Sequence, residues 1–149
     1  EDLCKMFYQL YNINIYILRY FNVYGKSQPT KGQYAPVIGV FQKQFKNNKD
    51  MTIVGGGKQK RDYTHVDDVV EANLMILDDR KNSGYIVFNV GTGINYSVLE
   101  IAKMFGGKYK FIPKRKGEAK ETLADISRIK NYLNWKPQTM IDDWIKNNR

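Results

Sequence analysis

The chain has 149 residues, 42% hydrophobic and 26% charged, with 24 Lys and Arg against 15 Asp and Glu for a formal net charge of +9. That length supports one domain with a real core, and the balance is that of a soluble globular protein. No apolar run approaches the ~20 residues that span a bilayer, no leader-like segment opens the sequence, and the lone Cys4 excludes an internal disulfide, which suits a reducing cytoplasm.

Leu3, Phe7, Leu10 and Tyr11 recur at helical spacing, predicting a helix over residues 1–11. The β-branched run Ile15 to Tyr20 reads as a buried strand. A polar loop containing Pro29 and Gly32 leads to a helix from Val37 to Phe45. Met51 to Val54 is a strand that stops at Gly55-Gly56-Gly57. Thr64 to Asp67 fits a capping box for a helix from about Val66 to Leu77. Ile86 to Val90 is a second buried strand, stopped by Gly91-Thr92-Gly93.

Ser97 to Glu100 is another capping box, opening a helix to Phe105. Tyr109 to Ile112 is a short strand. Asp125 is positioned to cap a helix to about Leu133 that Pro137 terminates, and Thr139 with Asp142 frames a last helix. Strands separated by helices predict an α/β fold. Only Ile15 to Tyr20 and Ile86 to Val90 read as central parallel strands, and two such strands need more neighbours and cover on both faces. The pattern is that of part of a larger sheet.

Three readings of the positive charge compete: a Lys-rich surface, an anionic small ligand, and nucleic acid. The lysines (Lys43, Lys46, Lys49, Lys58, Lys60, then Lys108 to Lys120) are spread along the chain, with no zinc-ligand cluster or arginine-rich arm. Nucleic acid is therefore not expected as a partner. An oppositely charged partner half would also rationalise the excess.

Several motifs read as structure. Gly91-x-Gly93 follows a strand and precedes a helix, but Tyr96 stands where a dinucleotide fingerprint needs its third glycine. Gly55 to Lys58 lacks phosphate-loop spacing. Tyr132 and Lys136 match Tyr-x-x-x-Lys, a spacing that in reductases puts a base and its activating lysine on one helical face. Pro137 disfavours helix at Lys136. His65 has no nucleophile or metal-ligand pattern around it. Asp67 and Asp68, adjacent on a helix, serve capping and the dipole rather than a metal.

Two segments carry more. Arg19-Tyr20-Phe21-Asn22-Val23-Tyr24-Gly25 and Arg61-Asp62-Tyr63-Thr64-His65-Val66-Asp67-Asp68, in this order, resemble the NAD-dependent sugar-nucleotide epimerase/dehydratase family, the extended short-chain dehydrogenases. The resemblance covers nearly the whole chain. It implies the C-terminal part of an extended Rossmann-like, doubly wound fold, with a small α/β substrate-binding subdomain. On that basis residues 1–149 are one substrate-binding portion, with late Rossmann strands near residues 15–20 and 86–90. The NAD-binding half and the catalytic Tyr-x-x-x-Lys are expected to lie outside the chain, so no residue here is assigned a catalytic role.

By the same resemblance Phe21 borders the nicotinamide of NAD, and Asn22 contacts the substrate near its diphosphate and sugar. Gly32 to Ile38 resembles the segment that meets uracil, which assigns uridine contact to Pro36 and Val37; Gly39 stands where the family has proline. Arg61 resembles the arginine on the diphosphate, a role its planar fork suits. Lys114 to Glu118 resembles the family's Arg-Pro-Gly-Asp. That makes Arg115 a second diphosphate clamp and Glu118 the acceptor from ribose hydroxyls, with Lys116 in place of proline and Glu118 in place of aspartate.

The function these parts imply is substrate binding in a UDP-hexose 4-epimerase, which oxidises C4 transiently and returns the hydride to the other face. Alternatives are part of a dehydratase or decarboxylase of the same family, or a non-catalytic nucleotide-sugar-binding module. A homodimeric, cytoplasmic parent enzyme is expected.

Overall fold

A computed structural model describes residues 1–32, 35–79 and 84–149. Helix α1 (Asp2–Tyr11) leads into strand β1 (Ile15–Tyr20) and the short β2 (Val23–Tyr24). Then come α2 (Val37–Lys46), β3 (Met51–Val54), β4 (Lys60–Asp62), β5 (Thr64–His65) and α3 (Val66–Leu77). The rest is β6 (Tyr85–Val90), β7 (Asn95–Ser97), α4 (Val98–Phe105), β8 (Tyr109–Ile112), α5 (Ser127–Leu133) and α6 (Ile141–Asn148). The expected longer elements form within a residue or two of their predicted bounds, and the fold is mixed α/β.

The described strands pair two by two. β1 and β6 run parallel in register from Ile15 opposite Tyr85 to Tyr20 opposite Val90. These are the two runs expected as central strands. β3 pairs with β8 in parallel, and β4 pairs with β7 antiparallel. β2 and β5 pair in parallel, Val23 opposite Thr64 and Tyr24 opposite His65. That last ladder lays the Arg19–Gly25 segment directly against the Arg61–Asp68 segment.

Two hydrophobic clusters hold these elements. The larger joins α2, β3, α4 and α6 through Phe41, Met51, Ile53, Ile101, Phe105 and Ile145. Phe41 and Phe105 meet edge to face, with ring centroids 6.3 Å apart; such a pair adds about 0.5–1.5 kcal/mol to what burial of its area provides. The smaller cluster packs Val69 and Ala72 of α3 and Ile129 and Trp135 against Phe88 and Val90 of β6. Gly39 sits in α2 with Pro29's carbonyl only 2.5 Å from where a Cβ would be, so the loop before the helix closes on it only because the side chain is absent.

Several local details differ from the sequence reading. α3 is capped by His65, whose Nδ1 accepts from the Asp67 amide at 3.3 Å, and not by Thr64. Thr64 belongs to β5, which turns its hydroxyl into the interior, where Oγ1 has no hydrogen-bond partner among the described residues. Asp67 is exposed, whereas Asp68 is buried and accepts from the Gln138 and Thr139 amides at 2.9 and 3.1 Å. Its role thus extends beyond the helix end: it ties α3 to the segment before α6. Thr139 enters that tie through its amide, and α6 starts after Met140 without a side-chain cap.

α5 ends at Leu133 because Asn134 turns left-handed (φ 55°), three residues before Pro137. Asp125 accepts from the Ser127 amide at 2.9 Å, one residue ahead of the position that formally caps the helix. The Ser97–Glu100 capping box is present in full. Between Gly93 and α4 the chain makes β7 before turning helical, so the glycine turn does not open a helix directly.

Candidate functional site

Asp62 is the structural centre of the site. It is fully buried on β4, and Oδ1 accepts from the Thr92 amide (2.8 Å) and Thr92 Oγ1 (2.7 Å). Oδ2 accepts from the amides of Gly93 (2.9 Å) and Ala124 (3.1 Å). A Cβ on Gly91 would collide with that of Ala124, so glycine is required for this turn to close on the following segment. The carboxylate thereby gathers β4, the Gly91–Gly93 turn and the 122–124 stretch. The amides that a dinucleotide loop would offer to phosphate are here spent on a side chain.

Strand alternation then decides which side chains face the ligand space. Residues Gln59, Arg61 and Tyr63, two apart along β4 and its flanks, all line one cleft of about 350 Å³, while Asp62 between them faces the other way. On β3 the buried residues are Met51 and Ile53, and their alternates Thr52 and Val54 line the cleft. Parallel pairing of β3 with β8 delivers the loop after Ile112 to the same place. Backbone bonds between Lys60 and both Lys120 and Thr122 (2.9 and 3.1 Å) hold that loop's far end beside β4.

All six residues assigned to the nucleotide-sugar, Asn22, Pro36, Val37, Arg61, Arg115 and Glu118, line this one cleft. Asn22 lies at its edge, where Oδ1 accepts from Thr122 Oγ1 at 3.2 Å, which leaves the amide donors as what the side chain offers a ligand. Pro36 and Val37 begin α2. Ile38, Phe41, Val98 and Ile112 add an apolar wall. Phe21 is not among the lining residues. Its amide extends the β1–β6 ladder by donating to the Val90 carbonyl at 3.1 Å, placing it at the end of that sheet. Gln33 and Tyr34 of the Gly32–Ile38 segment lie outside the described residues.

Arg61 and Glu118 meet in the cleft. Arg61 Nη1 donates to the Lys60 carbonyl at 2.7 Å, and Nη2 lies 3.7 Å from Glu118 Oε1. The two side chains are only 14% and 26% exposed, so water screens the pair incompletely. Gln59 Nε2 donates to the Val54 carbonyl at 3.1 Å and reaches Glu118 at 3.5 Å. Both contacts to Glu118 are long. Burial pushes the Tyr63 phenol well above its ordinary range, with Arg61 opposing and Glu118 adding. It is therefore a neutral hydroxyl at physiological pH.

A second cavity of about 370 Å³ shares Val54, Gln59 and Glu118 with the first and adds Lys58, Lys114 and Lys120. The combination of two guanidinium groups, nearby lysines, one carboxylate and an apolar wall suits a ligand with a planar apolar end, a hydroxylated middle and an anionic group. Gln59, Thr52 and Tyr63 were not singled out from the sequence. The period of two through Arg61 finds Gln59 and Tyr63 once β4 is recognised as a strand, and Thr52 is the alternate of the buried Met51 and Ile53 on β3.

The other motifs contribute no chemistry. Tyr132 belongs to α5 and Lys136 lies beyond its end, so the two do not share a helical face. For a dinucleotide the fit is negative: besides the spent amides of Thr92 and Gly93, those of Gly55 and Gly57 bond to the Ile112 and Val54 carbonyls. No helix among the described residues is long and apolar enough to cross a membrane.

Comparison with known proteins agrees with this geometry. The chain is 33% identical to the UDP-glucuronate 4-epimerase of Thermodesulfobacterium geofontis, over 98% of this chain and 45% of the relative. The UDP-glucose 4-epimerase of Thermotoga maritima, solved with UDP-glucose, superposes with a TM-score of 0.88 at 31% identity, over 99% of this chain and 48% of that one. The UDP-glucuronic acid 4-epimerase from Bacillus cereus, solved with UDP-glucuronic acid and NAD, gives 0.87 at 31%, again over 99% and 48%. The chain spans about half the length of the relatives it matches, and its α/β fold corresponds to the C-terminal half of extended short-chain dehydrogenase epimerases. Residues 1–91, which include both diagnostic segments, match the NAD dependent epimerase/dehydratase family, and the chain belongs to that family.

Proposed function

We propose that this chain is the nucleotide-sugar-binding portion of an NAD-dependent sugar-nucleotide 4-epimerase that acts on a UDP-hexose. The observation that carries the reading is convergence. Six residues drawn from four separate stretches of sequence line one cleft, and their chemistry matches the parts of a nucleotide-sugar. Arg61 and Arg115 take the diphosphate, Glu118 the ribose hydroxyls, Pro36 and Val37 the uracil, and Asn22 the sugar side of the diphosphate.

The division of labour follows from how an epimerase works. The 4-keto sugar must turn over between oxidation and reduction, so the hexose is held loosely and the nucleotide firmly. Binding energy from the diphosphate, remote from the reacting carbon, serves catalysis by confining the sugar to the site. This chain supplies that anchor. NAD and the catalytic tyrosine are held by the part of the enzyme that precedes it, and Phe21, at the end of the β1–β6 sheet, forms one wall of the nicotinamide pocket. Residues 1–149 thus make one substrate-binding portion whose β1 and β6 complete the parent's Rossmann sheet. The parent is a cytoplasmic homodimer.

The test is turnover. Purified chain, free of host enzymes, is expected to leave UDP-hexose unchanged, and addition of an NAD-binding half from the same family is expected to restore epimerisation. Turnover by the chain alone would refute the division. So would failure of the mixed halves to bind a UDP-sugar.

A further inference from the structure

Tyr63 carries a hydroxyl that no described residue engages. The residue is 3% exposed, and its Oη is buried without a hydrogen-bond partner among the described residues. Leaving a buried hydroxyl unpaired costs about 1–3 kcal/mol, a cost a phenylalanine would avoid while filling the same space. The residue nonetheless lines the ligand cleft, two positions from Arg61 along the chain. Arg61 and Glu118 both act electrostatically on its phenol, so it stands in the field of the two groups assigned to the diphosphate and ribose.

We propose that the Tyr63 hydroxyl is a ligand-binding group, donating to an anionic oxygen of the diphosphate alongside Arg61. This rests on the nucleotide-sugar reading of the cleft and adds a residue to it. Burial keeps the phenol protonated, so it meets the ligand as a donor. A donor already dehydrated in the ligand-free state gives up no water contact on binding, and a bond to a charged oxygen is among the stronger ones. Arg61 supplies charge; Tyr63 supplies a short, directional contact that fixes the phosphate against the strand.

The test is Tyr63→Phe, examined in the chain alone and in the chain assembled with its NAD-binding complement. Thermal melts without ligand are expected to show equal or higher stability, because the substitution removes only an unpaired hydroxyl. Calorimetric titration is expected to show UDP binding weakened by roughly five- to thirty-fold, and uridine binding changed by less than about two-fold. Unchanged UDP affinity would overturn the proposal. Equal losses for UDP and uridine would overturn the phosphate assignment, and a destabilised ligand-free variant would mean that the hydroxyl already serves the fold. Absence of UDP binding by the wild-type chain in both settings would defeat the nucleotide-sugar reading itself, a result distinct from those three.

Discussion

Around β3 and α4 the large apolar side chains close on one another, whereas around β1, α1 and the outer side of α3 many of them face outward. Phe41, Ile53, Ile101 and Phe105 are fully buried. By contrast α1, with apolar residues along one side, contains no buried residue at all. Leu3 and Leu10 are each 64% exposed, Leu77 is 80% exposed, and Leu74 and Val70 are half exposed. β1 has only β6 as a partner among the described strands. The cleft therefore stands on the part of the molecule that supplies its own core. The part that resembles a Rossmann sheet leaves apolar surface of the kind that marks a contact site. Under the proposed function this asymmetry has a simple reading: one region packs on itself and the other completes a sheet shared with the rest of the enzyme.

The comparison can be broken most forcefully at Asp62. Replacing it by Ala leaves the amides of Thr92, Gly93 and Ala124 without their acceptor, and is expected to cost on the order of 4 kcal/mol, read by urea denaturation. A loss below about 1 kcal/mol would mean that the cleft is not organised around that carboxylate. Next in size is the contrast between cores. Phe41→Ala is expected to destabilise the chain by about 3 kcal/mol, whereas Leu74→Glu and Leu10→Glu change it by less than about 0.5 kcal/mol. The two Glu variants are instead expected to prevent association with an NAD-binding half in pull-down or gel filtration. Comparable stability losses at all three positions would erase the distinction between the two regions.

The smallest expected effect concerns pH. Bonds from the Ser97 hydroxyl and amide hold Glu100 below its ordinary carboxylate range. Its contribution is fully present above the unfolded value of about 4.5 and is lost as pH falls through the lower folded value. Ser97→Ala is expected to cost about 1 kcal/mol near neutrality and to flatten that acid-side dependence. An unchanged acid limb in the variant would show that the box does not couple α4 to pH.

How far the sequence carried depended on the length of the pattern. Ile15 to Tyr20, Val66 to Leu77 and Tyr109 to Ile112 have enough periodic residues to declare themselves. β2, β4, β5 and β7 are only two or three residues long, and all but β2 are rich in polar or charged side chains, so no local pattern is long enough to mark them as strands. They form because Asp62 and the β2–β5 ladder fix them from a distance. The site's charged members, Arg61, Arg115 and Glu118, were legible through the resemblance of their segments. Gln59, Thr52 and Tyr63 were not, since their place in the cleft follows from strand alternation that only the paired backbone reveals. Thr64 misled for the same reason: Ser/Thr-x-x-Asp ahead of an apolar run looks like a cap, but pairing with β2 turns that hydroxyl inward and passes the cap to His65.

The most direct measurement is a pair of calorimetric titrations on the chain assembled with an NAD-binding half, with Arg61 intact and with Arg61→Ala. The predicted result is a loss of UDP-sugar affinity of roughly ten- to a hundred-fold, with NAD affinity changed by less than about two-fold. Equal losses for both ligands, or none for the UDP-sugar, would contradict the assignment of this chain as the nucleotide-sugar anchor.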